Sequence, residues 1–311
     1  MQKRINKKIL VAVDGSDRSL KTVRYIARLD PFLGRHVVLF HVFNSVPESY
    51  WDLEEDPRST STVRQVRSWE AEQKKKIKAF MERAKQFLLK AGFPEDAIEI
   101  KVQNRKRGIA RDIIQEARNR YDAVVTRRRG MTGLRGIVLG SVATKLIEKL
   151  SFLPVILVGQ KTEGNRILLA FDGSPGAMRA VEYVGSTQGG FGYEVCLVHV
   201  IRGNGEKQSE FQHIMSSKKH TEHTRKDMVS LLKEAKSKLI NAGFTPAKIS
   251  TEIITGAHSR AKTIADKAKR EHYACIVVGR RGHSRVRDFF IGRVTNKVIQ
   301  LARDRTVWIV R

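Results

Sequence analysis

The feature that most constrains this chain is that it is written twice. Ile9-Leu10-Val11-Ala12-Val13-Asp14-Gly15-Ser16 returns as Ile167-Leu168-Leu169-Ala170-Phe171-Asp172-Gly173-Ser174. Phe40-His41-Val42-Phe43 returns as Val198-His199-Val200-Ile201, and Ala91-Gly92-Phe93 as Ala242-Gly243-Phe244. Arg128-Arg129-Gly130 returns as Arg280-Arg281-Gly282, and Leu139-Gly140-Ser141-Val142 as Ile291-Gly292-Arg293-Val294. The matches keep their order at a spacing of about 150 residues, the signature of a duplicated domain rather than a solenoid. The polar stretch Gly159–Asn165 reads as the linker, which gives domains at residues 1–160 and 165–311. A chain of 311 residues is long enough for two such cores.

Within each copy, short Val/Ile/Leu runs alternate with amphipathic helical stretches. The first copy reads as strands near Ile9–Val13, His36–Phe43, Ile98–Gln103, Ala123–Thr126 and Val155–Val158. Helices are expected between them at Asp17–Leu29, Val63–Lys90, Ile109–Asn119 and Val142–Leu150, and the second copy repeats the scheme. Continuous apolar runs, rather than in–out alternation, suit strands covered on both faces. The predicted fold is α/β: two tandem Rossmann-like, doubly wound domains, each a five-stranded parallel sheet flanked by helices.

Between the fourth strand and fourth helix stands Arg127-Arg128-Arg129-Gly130, then nine residues, then Gly140-Ser141. The second copy reads Gly279-Arg280-Arg281-Gly282, nine residues, then Gly292-Arg293. Glycines let backbone amides approach an anion, and the helix behind them turns its positive end to the same spot. Ser141 adds a hydroxyl donor. The chemistry is that of a phosphate cradle, although the chain has neither a Walker P-loop nor a G-x-G-x-x-G fingerprint.

This arrangement, G-x-x-G, nine residues, then G-[ST] behind an early strand that ends in Asp, resembles the universal stress protein family over nearly the whole chain, twice. The resemblance implies a stress-response regulator that binds ATP or another adenine nucleotide, with Mg2+ able to accompany it. It implies nucleoside contacts from Asp14 and Val42 and ribose–phosphate contacts from Gly130, Gly140, Ser141 and Val142. In the second domain the same roles fall on Asp172, Val200, Gly279, Gly282, Gly292 and Val294. Each copy departs from the pattern once. Arg127 stands at the first glycine position of domain one, and Arg293 replaces the hydroxyl residue of domain two, so both are read as anion-binding or gating residues. The resemblance also implies pairing across the last strands, Val155–Val158 and Thr306–Val310, as an intramolecular pseudo-dimer, with a homodimer as the intermolecular form.

Charge widens the field of partners. The formal net charge is +27, divided almost evenly between the halves, so the excess is no detachable tail. It leaves a binder of nucleic acid or anionic lipid as an alternative, together with an interaction module that takes no nucleotide. Arg105-Lys106-Arg107, Arg127–Arg129, Arg280, Arg281, Arg285 and Arg287 are all expected at the carboxyl edge of the sheets, the ligand side. The long helix Val63–Lys90, with Trp69 and Lys74–Lys76, offers a basic face toward a membrane or RNA, or is an ordinary amphipathic helix.

Catalytic chemistry is poorly represented. Asp14-Gly15-Ser16 is no nucleophile elbow, and no general base is identifiable, so no catalytic residue is assigned and at most slow ATP hydrolysis is expected. His220 and His223 lack a third metal ligand, so no metal site is assigned, and His41 and His199 read as buried, hydrogen-bonded histidines. Two cysteines, Cys196 and Cys275, are too few for a disulfide framework, and both sit in apolar runs that read as buried. No stretch reaches the length of a membrane span, and the expected location is the cytoplasm. The segment Pro47–Thr62, with its acidic cluster, escapes the repeat and reads as a surface loop or a lid.

Overall fold

A computed structural model describes residues 7–45, 60–128, 139–203, 218–283 and 291–311, with the side chains at 60 and 218–226 outside the description. Contacts divide the chain into two compact units, Met1–Leu146 and Ile147–Arg311. Gly130, Arg285, Arg287 and most of the Pro47–Thr62 segment lie outside the described residues, as do the side chains of His220 and His223.

In the first unit, β1 (Lys8–Ala12), β2 (His36–Phe43), β3 (Ile98–Asn104) and β4 (Tyr121–Arg127) form a parallel sheet in the order β3-β2-β1-β4. Ile9, Leu10 and Val11 are fully buried, as expected for a strand with helices on both sides. The helices are α1 (Leu20–Ala27), α2 (Thr60–Lys90), α3 (Ile109–Glu116) and α4 (Ser141–Lys149), the last crossing the boundary between the units. The second unit carries β5 (Val155–Val158), β6 (Arg166–Ala170), β7 (Glu194–Arg202), β8 (Ile249–Ala257), β9 (Cys275–Gly279) and β10 (Thr306–Val310) in the order β5-β10-β9-β6-β7-β8. All its pairings are parallel except that of β5 with β10, which is antiparallel, with Trp308 opposite Ile156. Its helices are α5 (Pro175–Gln188), α6 (Lys218–Asn241), α7 (Arg260–Arg270) and α8 (Arg293–Leu301).

The two copies differ where the first helix begins. In the second unit the Ser174 hydroxyl accepts from the Ala177 amide at 3.1 Å and Pro175 presets the first helical φ, so α5 starts three residues after Asp172. The first unit has Asp17-Arg18 in place of Pro175-Gly176. There Ser16 is held by Asp14, through its amide at 3.0 Å and its hydroxyl at 2.6 Å, and α1 begins only at Leu20. In both copies the turn off the first strand needs a left-handed glycine, Gly15 at φ 81° and Gly173 at φ 75°.

Candidate functional site

In the first unit β2 and β3 lie on one side of β1 and β4 on the other, so chain leaving the carboxyl ends of β1 and β4 parts in opposite directions. Such a reversal opens a crevice at the strand ends. Asp14 stands just past the end of β1 and Arg127 at the end of β4, and α4 starts from Gly140 through Ser141 and Val142, with Gly140 tied back to the β4 end. The second unit reverses between β6 and β9, placing Asp172, Gly279, Gly282 and the Gly292–Val294 turn around an equivalent crevice.

The backbone equips each crevice with donors and an acceptor. The Gly140 amide is tied to Arg128 O at 2.7 Å and the Gly292 amide to Arg280 O at 2.9 Å, which fixes each helix start against its strand end. The next three amides of each helix have no acceptor within it and stand at the positive end of the helix dipole. The acceptor comes from the second strand. Carbonyls alternate sides along a strand, and Phe40 O accepts from Val13 N at 3.0 Å on the β1 side. Two residues on, Val42 O points the same way but lies past the end of β1, where Gly15 turns the chain aside. By the same register Val198 O accepts from Phe171 N at 2.9 Å and Val200 O lies past the end of β6.

The glycines at the fourth strand work by close approach. Gly279 and Gly282 do not have positive φ, and Gly292 has φ −64°. A Cβ on Gly279 would come within 2.7 Å of the Gly176 backbone, and one on Gly282 would overlap the Asp172 carboxylate. Where the first unit has Arg127 instead, the later start of α1 leaves room. The Arg127 guanidinium donates to the carbonyl of Arg18, the residue that stands where Gly176 stands in the second copy. Burial lowers the Arg127 pKa, and the charge of Asp14 opposes that shift. The side chain is therefore anchored between β4 and the β1–α1 turn, on the flank of β1 away from Val42.

Several expectations shift with the geometry. Arg280 does not project toward ligand. It is 5% exposed, and its guanidinium donates to Glu148 O at 2.8 Å, Leu150 O at 2.9 Å and Ile147 O, the last carbonyls of α4, all within the second unit. Burial brings its pKa down to about 10. Arg128 is likewise buried. Arg105, Lys106 and Arg107 are exposed at the carboxyl end of β3, where the sequence put them. His41 donates from Nδ1 to Val13 O at 2.9 Å and His199 to Phe171 O at 2.8 Å, which makes both structural. Cys196 and Cys275 are free and buried, and burial pushes the Cys275 thiol up to about 12.

Two residues of the crevices escaped the sequence reading. Arg260, first residue of α7, donates from Nε to Val200 O at 3.2 Å. Its counterpart at the start of α3 is Ile109, 40% exposed. The repeat itself aligns the two positions, but only coordinates reveal where the Arg260 side chain goes. His283 also closes on the second crevice, with Nε2 2.8 Å from Asp172 O.

Strand order, helix placement and paired crevices define a duplicated Rossmann-like α/β protein, each unit with a crevice at the carboxyl ends of its strands. The chain belongs to the universal stress protein family, whose model matches residues 6–159 and again 164–311. A universal stress protein of Mycolicibacterium smegmatis is 27% identical over 198 residues, a match that spans 62% of this chain and 63% of that relative. The crystal structure of a universal stress protein from Archaeoglobus fulgidus DSM 4304 shares the fold over 99% of both chains, with a TM-score of 0.62 at 19% identity. A functionally unknown protein from Pseudomonas aeruginosa PAO1 shares it over 98% of this chain and 92% of its own, with a TM-score of 0.57 at 15% identity.

Proposed function

We propose that this chain is a cytoplasmic stress-response regulator that binds an adenine nucleotide, ATP or a relative of it, at one or both glycine-loop crevices. The domains that carry the crevices are assigned to residues 1–160 and 165–311. The observation that carries the reading is the pairing, in one crevice of the first unit, of the outward Val42 carbonyl with the first-turn amides of α4. A nucleotide has the complementary ends: an exocyclic amino donor on the base and anionic oxygens on the phosphates. Asp14, just past the end of β1, would meet the ribose hydroxyls. Gly140, Ser141, Val142 and Gly130 would hold the phosphates. Among the described residues no three carboxylate, imidazole or thiol groups gather around a metal, so Mg2+ would ride on the phosphate oxygens. Regulation would follow from a difference in nucleotide affinity between two states of the protein, since the ligand favours whichever state binds it more tightly.

The test is a titration of the full chain with ATP. Gly140→Leu puts a branched side chain where phosphate must approach and is expected to abolish binding. Unchanged affinity in that variant contradicts the cradle assignment.

A binder of polyanions is the second reading, favoured by exposed Arg105, Lys106 and Arg107 at the carboxyl end of β3. Its signature is a steep loss of RNA, DNA or anionic-vesicle affinity with salt. Buried Arg128 and Arg280 contribute nothing to such a surface.

A further inference from the structure

The two crevices are built on one plan but differ at the position that faces the base. In the second unit Arg260 Nε donates to Val200 O, the one strand-end carbonyl that the β6–β7 register directs past the end of β6. A guanidinium seated there both consumes the acceptor and fills the space beside it. It also places a positive charge where an aromatic ring with its own amino donors would have to lie. In the first unit the same helix position holds Ile109, which has no side-chain donor to offer Val42 O and is 40% exposed.

The remaining contacts tighten the contrast. Gly282 lies so close to the Asp172 carboxylate that a Cβ would overlap it, and His283 Nε2 approaches Asp172 O at 2.8 Å. Gly282 and His283 thus hold the Asp172 turn in place, and Arg260 is the side chain that takes up the carbonyl on the base side. In the first unit the Arg127 guanidinium is drawn to Arg18 O, on the α1 side of β1, and leaves the Val42 side alone.

We infer that Arg260 and Ile109 are specificity-determining residues: Arg260 shuts the second crevice to adenine, and the chain takes one adenine nucleotide, in the first unit. The inference rests on the nucleotide reading of the crevices, and it turns the departures at 127 and 260 into a division of labour between the copies. A plan shared by the two copies, with one base site open and one self-occupied, gives a protein that senses nucleotide once per chain.

The experiment counts ATP bound per full-length chain, by native mass spectrometry and calorimetry, in wild type, Arg260→Ile, Ile109→Arg and the double variant. The wild type is expected to bind one ATP. Arg260→Ile gains a second, with affinity at the new site raised about tenfold or more over any residual binding there, the scale of one recovered hydrogen bond. Ile109→Arg binds none. The double variant binds one, now lost on Gly292→Leu rather than on Gly140→Leu. Arg260 and Ile109 are exposed first residues of their helices, and circular dichroism verifies folding, with Arg260→Ala as a second variant should Ile at 260 misfold. Two ATP in the wild type, or an unchanged count in both Arg260 variants, overturns the inference. A wild type that binds none while Arg260→Ile binds one overturns the nucleotide reading of the first unit and leaves the role of Arg260 standing. No binding by any variant overturns both.

Discussion

Single residues decide how much of each crevice is usable, and most of those decisions concern where a cation goes. A run such as Arg128-Arg129 or Arg280-Arg281 at a strand end looks like ligand chemistry in the sequence. The fold instead spends Arg280 on the last carbonyls of α4, because a helix end buried in the protein must have its carbonyls satisfied. Arg280→Ala should therefore lower stability by about 1.5–3 kcal/mol, read from urea unfolding, with no direct effect on the phosphate contacts. The opposite holds at Gly279, where even a methyl group meets the Gly176 backbone. Gly279→Ala is expected to cost about 1–3 kcal/mol by overpacking, while Arg127→Gly, which removes an anchored side chain beside a roomier turn, costs less. Equal costs for the two would contradict the account of why they differ. The histidines were legible from sequence because they sit within strands, and they make a pH prediction. Burial is the largest influence on both and lowers their pKa below the ordinary histidine value of 6.5, against the hydrogen bonds to Val13 O and Phe171 O. A depressed histidine binds its proton more readily when unfolded. Stability from this source is full above about pH 6.5 and is lost as pH falls through the lower folded-state values. The urea midpoint should drop between pH 7.5 and pH 5.5, and by less in a His41→Gln, His199→Gln double variant.

Elements were easier to read than residues. Apolar runs place the strands to within a few positions, and most securely where a strand is buried on both faces, as β1 and β5 are, because such a run admits little else. The start of the first helix was misjudged in the first copy: Asp17 looked helical, but Ser16 and Asp14 hold a turn and α1 begins at Leu20. Local side-chain bonding to the backbone competes with helix there, and a hydrophobic pattern cannot weigh it. The elements also preserve a trace of the duplication invisible to residue-by-residue matching. In the first unit Lys101 on β3 meets Glu116 on α3 at 2.7 Å, and Tyr121 donates to the same carboxylate at 2.7 Å. In the second unit Glu252 on β8 meets Lys267 on α7 at 2.6 Å, with Tyr273 beside it and Glu271 bound to the lysine at 2.8 Å. The strand–helix pair is kept and its polarity reversed. Lys267 is only 4% exposed, so the pair is buried on one side, and breaking it leaves an uncompensated charge. Lys267→Glu is expected to destabilise by about 3 kcal/mol, and addition of Glu252→Lys to restore part of that loss. A double variant whose cost equals the sum of the two single ones would show that the pair contributes no coupling.

At the scale of the whole molecule, the sequence disclosed the duplication, the α/β class and the family, because these depend on the order of apolar runs and glycines. Which copy serves which ligand was beyond it. Arg127 and Arg293 were visible as departures, yet Arg260, on which the proposed difference between the two crevices rests, sits at an ordinary helix start and matters only because its side chain reaches Val200 O. No helix among the described residues is long and apolar enough to cross a membrane. The net charge of +27 is spread over both copies, with part of it spent internally on Arg128 and Arg280. What the molecule does therefore turns on whether the first crevice holds a nucleotide. The most direct measurement is a count of adenine nucleotide retained by the full-length chain after incubation with ATP, made beside Gly140→Leu and Gly292→Leu. One nucleotide per chain, lost with Gly140→Leu and kept with Gly292→Leu, is the predicted result; a chain that retains none, or a Gly140→Leu variant that retains it undiminished, contradicts the account.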